Sequence, residues 1–130
     1  MKISVIIISA NELRHKYFRR KIALFKNINV KLCLAEKNSS RQYYKVIKSK
    51  NYSNSEKKHF IKRQNNEKKH FNKFLKKNSE IKNLKIIDRG EFNTNKLLIN
   101  KVFKINPDLI ISYGCSIIKI IGRDGDFLNI

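Results

Sequence analysis

The chain has 130 residues with 30 basic and 10 acidic side chains, a formal net charge of +20, and its length suits one domain, 1–130, around one core. No apolar run approaches the ~18 residues that span a bilayer, no small-residue cleavage site follows the first apolar run, and 4 Gly with 1 Pro exclude collagen-like and linker-like chains. Hydrophobic residues make up 41% and fall in blocks, against full disorder, while Cys33 and Cys115 lack CxxC spacing and read as reduced core thiols of a cytosolic protein.

Ile3-Ser4-Val5-Ile6-Ile7-Ile8 is a nearly continuous β-branched run, as expected for a strand covered on both faces. Ser9-Ala10-Asn11-Glu12 fits the capping box S-x-x-E. It predicts a helix to about Lys26, with Leu13, Tyr17 and Leu24 on one stripe and Phe18, Ile22 and Phe25 beside it. Asn27 and Asn29 end that helix, and Val30 to Ala35 reads as a second strand. Residues 37–55 are polar and aperiodic, a loop with one helical turn near Tyr43–Ile47. From Ser55, Phe60, Gln64, Glu67, Phe71, Phe74 and Leu75 recur at spacings of three and four. Most other positions there are Lys or Asn, so the pattern predicts a long helix with one narrow apolar stripe. Leu84 to Ile87 is a short third strand. Thr94 to about Lys104 is a helix stopped by Asn106-Pro107. Asp108 to Tyr113 is a fourth strand, Ser116–Ile121 a short helix, and Phe127 to Ile130 the start of a fifth strand. Strands alternating with helices imply βαβ crossovers. The fold class is α/β, a Rossmann-like three-layer domain with a mainly parallel sheet, incomplete at the C-terminus.

Lys occurs 23 times, Ile 20 and Asn 16, together 59 of the 130 residues. All three have AT-rich codons, so coding bias alone can inflate the lysines. Arg, whose planar fork is preferred for phosphate, occurs 7 times. The charge is uneven: residues 37–87 hold 16 basic and 3 acidic groups. Such a segment attracts any polyanion without choosing among them. One functional reading is therefore a small basic nucleic-acid-binding protein without catalysis.

The first strand–helix junction has no G-x-G-x-x-G, which disfavours dinucleotide binding through that motif. A helix N-terminus remains an anion site, with Arg14 and His15 in its first turns. A solvated basic helix end is the plainer reading. His15, His59 and His70 share no metal-ligand spacing, and no metal is expected. His59 and His70, eleven apart, share a helix face but cannot share one small ion, and all three histidines read as surface residues. Ser116 follows Gly114-Cys115 without a G-x-S-x-G elbow. Cys115 lies just past a strand's carboxyl end, where doubly wound folds place ligands. No partner His is identifiable near it, so it reads as a core or rim thiol.

Three segments carry a resemblance. They are Ser9-Ala10-Asn11-Glu12-Leu13-Arg14-His15-Lys16-Tyr17-Phe18, His59-Phe60-x-x-Arg63-x-x-x-Glu67, and Pro107 to Ile118 (PDLIISYGCSII) followed by Phe127-Leu128-Asn129-Ile130. In order and spacing the chain resembles, from Met1 to Ile130, the N-terminal part of the formyltransferase family, which includes methionyl-tRNA and sugar-nucleotide formyltransferases. The resemblance implies transfer of a formyl group from 10-formyltetrahydrofolate to an amine carried by an aminoacyl-tRNA or an amino sugar nucleotide. In that family an Asn-x-His pair stabilises the tetrahedral oxyanion and a later Asp manages the amine's proton. Asn129 matches the family Asn. Arg14 and His15, a basic pair at a helix start beside the carboxyl end of strand one, are the candidates for the acceptor's phosphate, with Asn11 beside them, and Tyr113, Gly114, Cys115 and Ser116 the candidates for the folate donor. Cys115 stands where relatives often carry a small hydroxyl residue. Ile130 is one residue short of the expected His, so the expectation is a truncated, cytoplasmic product inactive alone.

Overall fold

The computed structural model describes residues 1–38 and 48–119, and the backbone alone of 126–129. The Ile3–Ile8 run offers no polar face, and it becomes the central strand β1 (Ile3–Ser9) of a five-stranded sheet. β1 pairs with β2 (Ile28–Glu36) on one side and β4 (Leu109–Tyr113) on the other. β3 (Leu84–Ile87) lies beyond β2, and β5 (Asp126–Asn129) beyond β4. Every pairing is parallel, in the order β3-β2-β1-β4-β5. The connections carry α1 (Leu13–Ala23), α2 (Asn54–Lys77), a 3-10 turn (Glu91–Asn93) and α3 (Lys96–Ile105). No described helix is long and apolar enough to cross a membrane.

The period-two alternation of the strands feeds two cores. On one face Ile6, Ile8, Leu34, Ile87 and Ile110 meet Phe92 of the 3-10 turn and Leu98 and Val102 of α3. On the other, Val5, Ile7, Cys33 and Ile111 meet Phe18 and Ile22 of α1. Each such buried side chain stabilises the fold by roughly 1.5–3 kcal/mol. α2 packs outside α1, with the Tyr17 ring 4.7 Å from Phe71 and 4.8 Å from Phe74. The result is a three-layer, Rossmann-like α/β arrangement with α2 as an outer flank.

The structure corrects several local expectations. Ser9 does not cap α1. It is buried in β1, held in extended form by pairing with Ala35 and Tyr113, and its hydroxyl donates to the Ala10 carbonyl at 2.8 Å. The cap is Glu12 instead, and α1 ends at Ala23, leaving Leu24 and Phe25 exposed rather than on a packed stripe. The predicted helix at Ser116–Ile121 is absent over the described residues 116–119. There the Ser116 amide donates to Glu36 and the Lys119 amide to Asn93, while Asn93 donates to the Ile117 carbonyl. Asn93 thus takes the Ile117 carbonyl, which in a helix would accept from the amide four residues on. The turn expected near Tyr43–Ile47 lies outside the described residues, as do Ile120, Ile121 and Ile130. Elsewhere the boundaries fall close to expectation. α3 stops at Asn106, whose φ of 47° is the left-handed conformation Asn tolerates, directly before Pro107.

Candidate functional site

The chain leaves β1 toward β2 and β3 on one side and returns to fill β4 and β5 on the other. The β1–β4 boundary is therefore the topological switch point, where open parallel sheets form a crevice at their carboxyl ends. A cleft of about 300 Å³ opens there. Ala10 and Gly114 line it from the ends of β1 and β4, Glu36 from β2, Arg14 and His15 from α1, and Arg89 from the stretch after β3. The Ala10 amide donates to the Tyr113 carbonyl at 3.2 Å and closes the floor between the two strands.

The basic pair seen in the sequence is split by the structure. Arg14 is an ion-paired cation, 2.9 Å from Glu12 and 3.0 Å from Glu67, and Arg63 joins Glu67 at 3.6 Å. His15 is buried and uncharged at neutral pH: burial first, then the Arg14 and Arg19 guanidinium charges, lower its pKa to about 4. Its Nδ1 accepts the Glu12 amide at 3.2 Å, so the remaining proton sits on Nε2. That Nε2–H is buried without a partner among the described residues, and so is Oδ1 of Asn11. An orphan donor and an orphan acceptor thus stand at the two sides of the α1 start. Asn11 is tied to the end of β2, its amide donating to Asn38 Oδ1 and its carbonyl accepting from Asn38 Nδ2.

His15 also sets the course of the segment after β4. Its ring lies 4.9 Å from that of Tyr113, which meets Phe18 at 4.8 Å on its other flank. A Cβ on Gly114 would stand 2.3 Å from His15 Nε2, and Gly114 has φ +65°. Only glycine meets both conditions without displacement. Beyond it, Glu36 gathers three segments. One carboxylate oxygen accepts the Gly90 amide at 2.6 Å; the other accepts the Ser116 amide at 2.8 Å and its hydroxyl at 3.2 Å. The Cys115 thiol is half-buried and raised above its ordinary pKa by burial and then by the Glu36 charge, so it is no thiolate nucleophile.

Of the residues singled out in the sequence, the structure brings Asn11, Arg14, His15, Tyr113, Gly114, Cys115 and Ser116 to the carboxyl ends of β1 and β4. The backbone of Asn129 pairs beside Ser112 in β5, and its side chain lies outside the described residues. His59 and His70 line a separate groove along α2. Among the described residues no group of three or more His, Cys, Asp or Glu could hold a metal ion. Glu36 and Arg89 were missed. The one sequence signal for Glu36 is a carboxylate directly after the apolar Val30–Ala35 run, where burial of a charge demands partners. No known family model, characterised protein or solved structure matches the chain.

Proposed function

We propose that the chain is a formyltransferase-like domain that serves, in the complete protein, the transfer of a formyl group from 10-formyltetrahydrofolate to an amine acceptor. The observation that supports this reading most is convergence at the switch point. The segment after β1 and the segment after β4, each of which carries the resemblance in sequence, share one cleft edge, with the β5 backbone of Asn129 one strand away. Within this reading Asn129 donates to the oxyanion of the tetrahedral intermediate. The donor's formyl group supplies the electrophile.

The chain's own residues suit a neutral, polar-edged ligand beside that cleft. The buried His15 Nε2–H and Asn11 Oδ1 are a donor and an acceptor whose unmade bonds cost about 1–3 kcal/mol each. Tyr113 and Gly114 are locked by His15 contact. Ser116 is engaged with Glu36, so its role is to hold the segment in place rather than to donate to folate. The charge of Arg14 is matched by Glu12 and Glu67, which line the same cleft, whereas Arg89 makes no ion pair among the described residues and favours an anionic group on the acceptor.

Amide NMR mapping of the chain with a hydrolysis-resistant analogue of 10-formyltetrahydrofolate tests this. The expected result is saturable shifts at Ala10–Glu12 and Gly114–Ser116, absent in Gly114→Ala. Shifts confined to α2, or none at these two segments, would sink the assignment.

A further inference from the structure

α2 has 24 residues, and none of its side chains is fully buried. Its inner stripe is spent on α1, where Phe71 and Phe74 meet Tyr17. Its outer face is another matter. Lys58, Lys62, Lys69, Lys73 and Lys76 are all exposed, and none forms an ion pair among the described residues. At 100° and 1.5 Å per residue they fall within a ~60° sector and run about 27 Å along the helix. The two acids of α2 are both elsewhere. Glu56 accepts the Ser53 amide in a capping box, and Glu67 turns inward to Arg14. The ridge therefore holds like charges at i,i+4 (Lys58 with Lys62, Lys69 with Lys73) and i,i+3 (Lys73 with Lys76), which repel. Coding bias can raise the lysine count, but it does not confine a helix's acids to its cap and its buried side.

We propose that this ridge docks the phosphodiester backbone of a double-stranded nucleic acid, independently of the formyl-transfer reading. The charge is complementary: a duplex carries about one negative charge per 1.7 Å of axis, and the ridge is straight and as long as roughly eight base pairs. Beside it an open groove of about 810 Å³ offers further donors to a sugar-phosphate edge from His59, Lys62, Arg63, Asn66 and His70; Glu67 also lines it, its carboxylate held by Arg14 at 3.0 Å. A membrane surface fits less well. An interfacial helix inserts an apolar face, and the apolar stripe of α2 is already covered by α1.

Fluorescence anisotropy against a 16-base-pair RNA duplex, the DNA duplex, a single strand and anionic vesicles, from 50 to 300 mM salt, decides the matter. For duplexes, log Kd should rise with log salt with a slope of about 4 or more, five lysines contributing ~0.9 each. The triple variant Lys62→Gln, Lys69→Gln, Lys73→Gln should lower that slope by about 2–3 and weaken binding at least tenfold at 100 mM salt. Gln retains helix propensity, and circular dichroism verifies that both triples are folded. The control Lys31→Gln, Lys85→Gln, Lys101→Gln removes the same charge from β2, β3 and α3 and should change the slope by less than about 1. Equal effects of the two triples would overturn the proposal, since net charge alone would then explain binding. So would vesicles or single strands binding more tightly than duplexes, or the absence of duplex binding at 50 mM salt.

Discussion

At the scale of single residues, His15 is the pivot of the cleft. Its value lies in being neutral, and that makes it sensitive to acid. The unfolded chain takes up a proton on this imidazole near pH 6.5, whereas the folded chain resists until about 4. The contribution of His15 should be complete above about pH 7, be lost as pH drops from 6.5 to 4, and change no further below; a shift of this size is worth about 3 kcal/mol. His15→Gln keeps an acceptor for the Glu12 amide and has nothing to titrate, so urea midpoints across pH 5–7 should lose this slope. An unchanged slope would mean that the imidazole is hydrated and charged in the fold. Gly114 probes the same contact from the other side. Gly114→Ala adds a methyl group 2.3 Å from His15 Nε2 at φ +65°, and should cost about 2–3 kcal/mol. In the double-mutant cycle His15→Ala should recover the steric share and leave the backbone share, about 1 kcal/mol, unrecovered.

At the scale of elements, α1 is joined to the α2–β3 connection by a charge cluster. Arg19, with 1% of its side chain exposed, donates twice to Glu80, at 3.0 and 2.7 Å, and Arg20 donates to it at 2.9 Å. Burial alone would raise the Glu80 carboxyl, but the hydrogen bonds from Arg19 and Arg20 prevail and hold it at about 2. Its stabilising effect is complete above about pH 4.5 and is lost as pH falls toward 2, a window distinct from that of His15. Glu80→Gln leaves Arg19 a buried cation without a counter-charge and should cost about 3–5 kcal/mol by thermal or urea unfolding, with the second acid window abolished. The same elements show what the sequence revealed. β1 was legible because a nearly continuous β-branched run suits a strand covered on both faces, and Asn106-Pro107 marked the end of α3 because Asn tolerates the left-handed cap and Pro cannot continue the helix. Ser9 misled because S-x-x-E describes local bonding, and two neighbouring strands outbid it. The position of Glu36 after an apolar run hints at a buried charge, but its partners were beyond reach: Gly90 and Ser116 lie 54 and 80 residues away. The burial of Arg19 was hidden for the same reason, since Glu80 is 61 residues distant. The segments after β1 and β4 that form one edge of the cleft could thus be named in advance, while Glu36, Arg89 and the bonds that lock the cleft together could not.

At the scale of the whole molecule, 30 basic groups face 10 acidic ones, so charge repulsion works against the compact state. Raising sodium chloride from 10 mM to 0.5 M shortens the screening length from roughly 30 Å to about 4 Å. The melting temperature should then rise by roughly 3–6 °C, the equivalent of about 1 kcal/mol in a domain of this size. A fall would show that the ion pairs around Glu67 and Glu80 outweigh the repulsion. The strand order has a consequence for the order of events in synthesis. β1 is made first yet sits in the middle, and its two neighbours arrive at very different times. Its pairing with β2 joins residues as near as Ile3 and Ile28, whereas its pairing with β4 joins Val5 to Leu109. Closing the longer loop costs about 1.3 kcal/mol more, and the ribosome needs roughly 4–15 s to add the residues between the end of β2 at Glu36 and Leu109. Throughout that interval the β1-α1-β2 unit can form, but one edge of its most apolar strand has no partner. A nascent chain arrested before residue 109 should therefore be the species that chaperones capture.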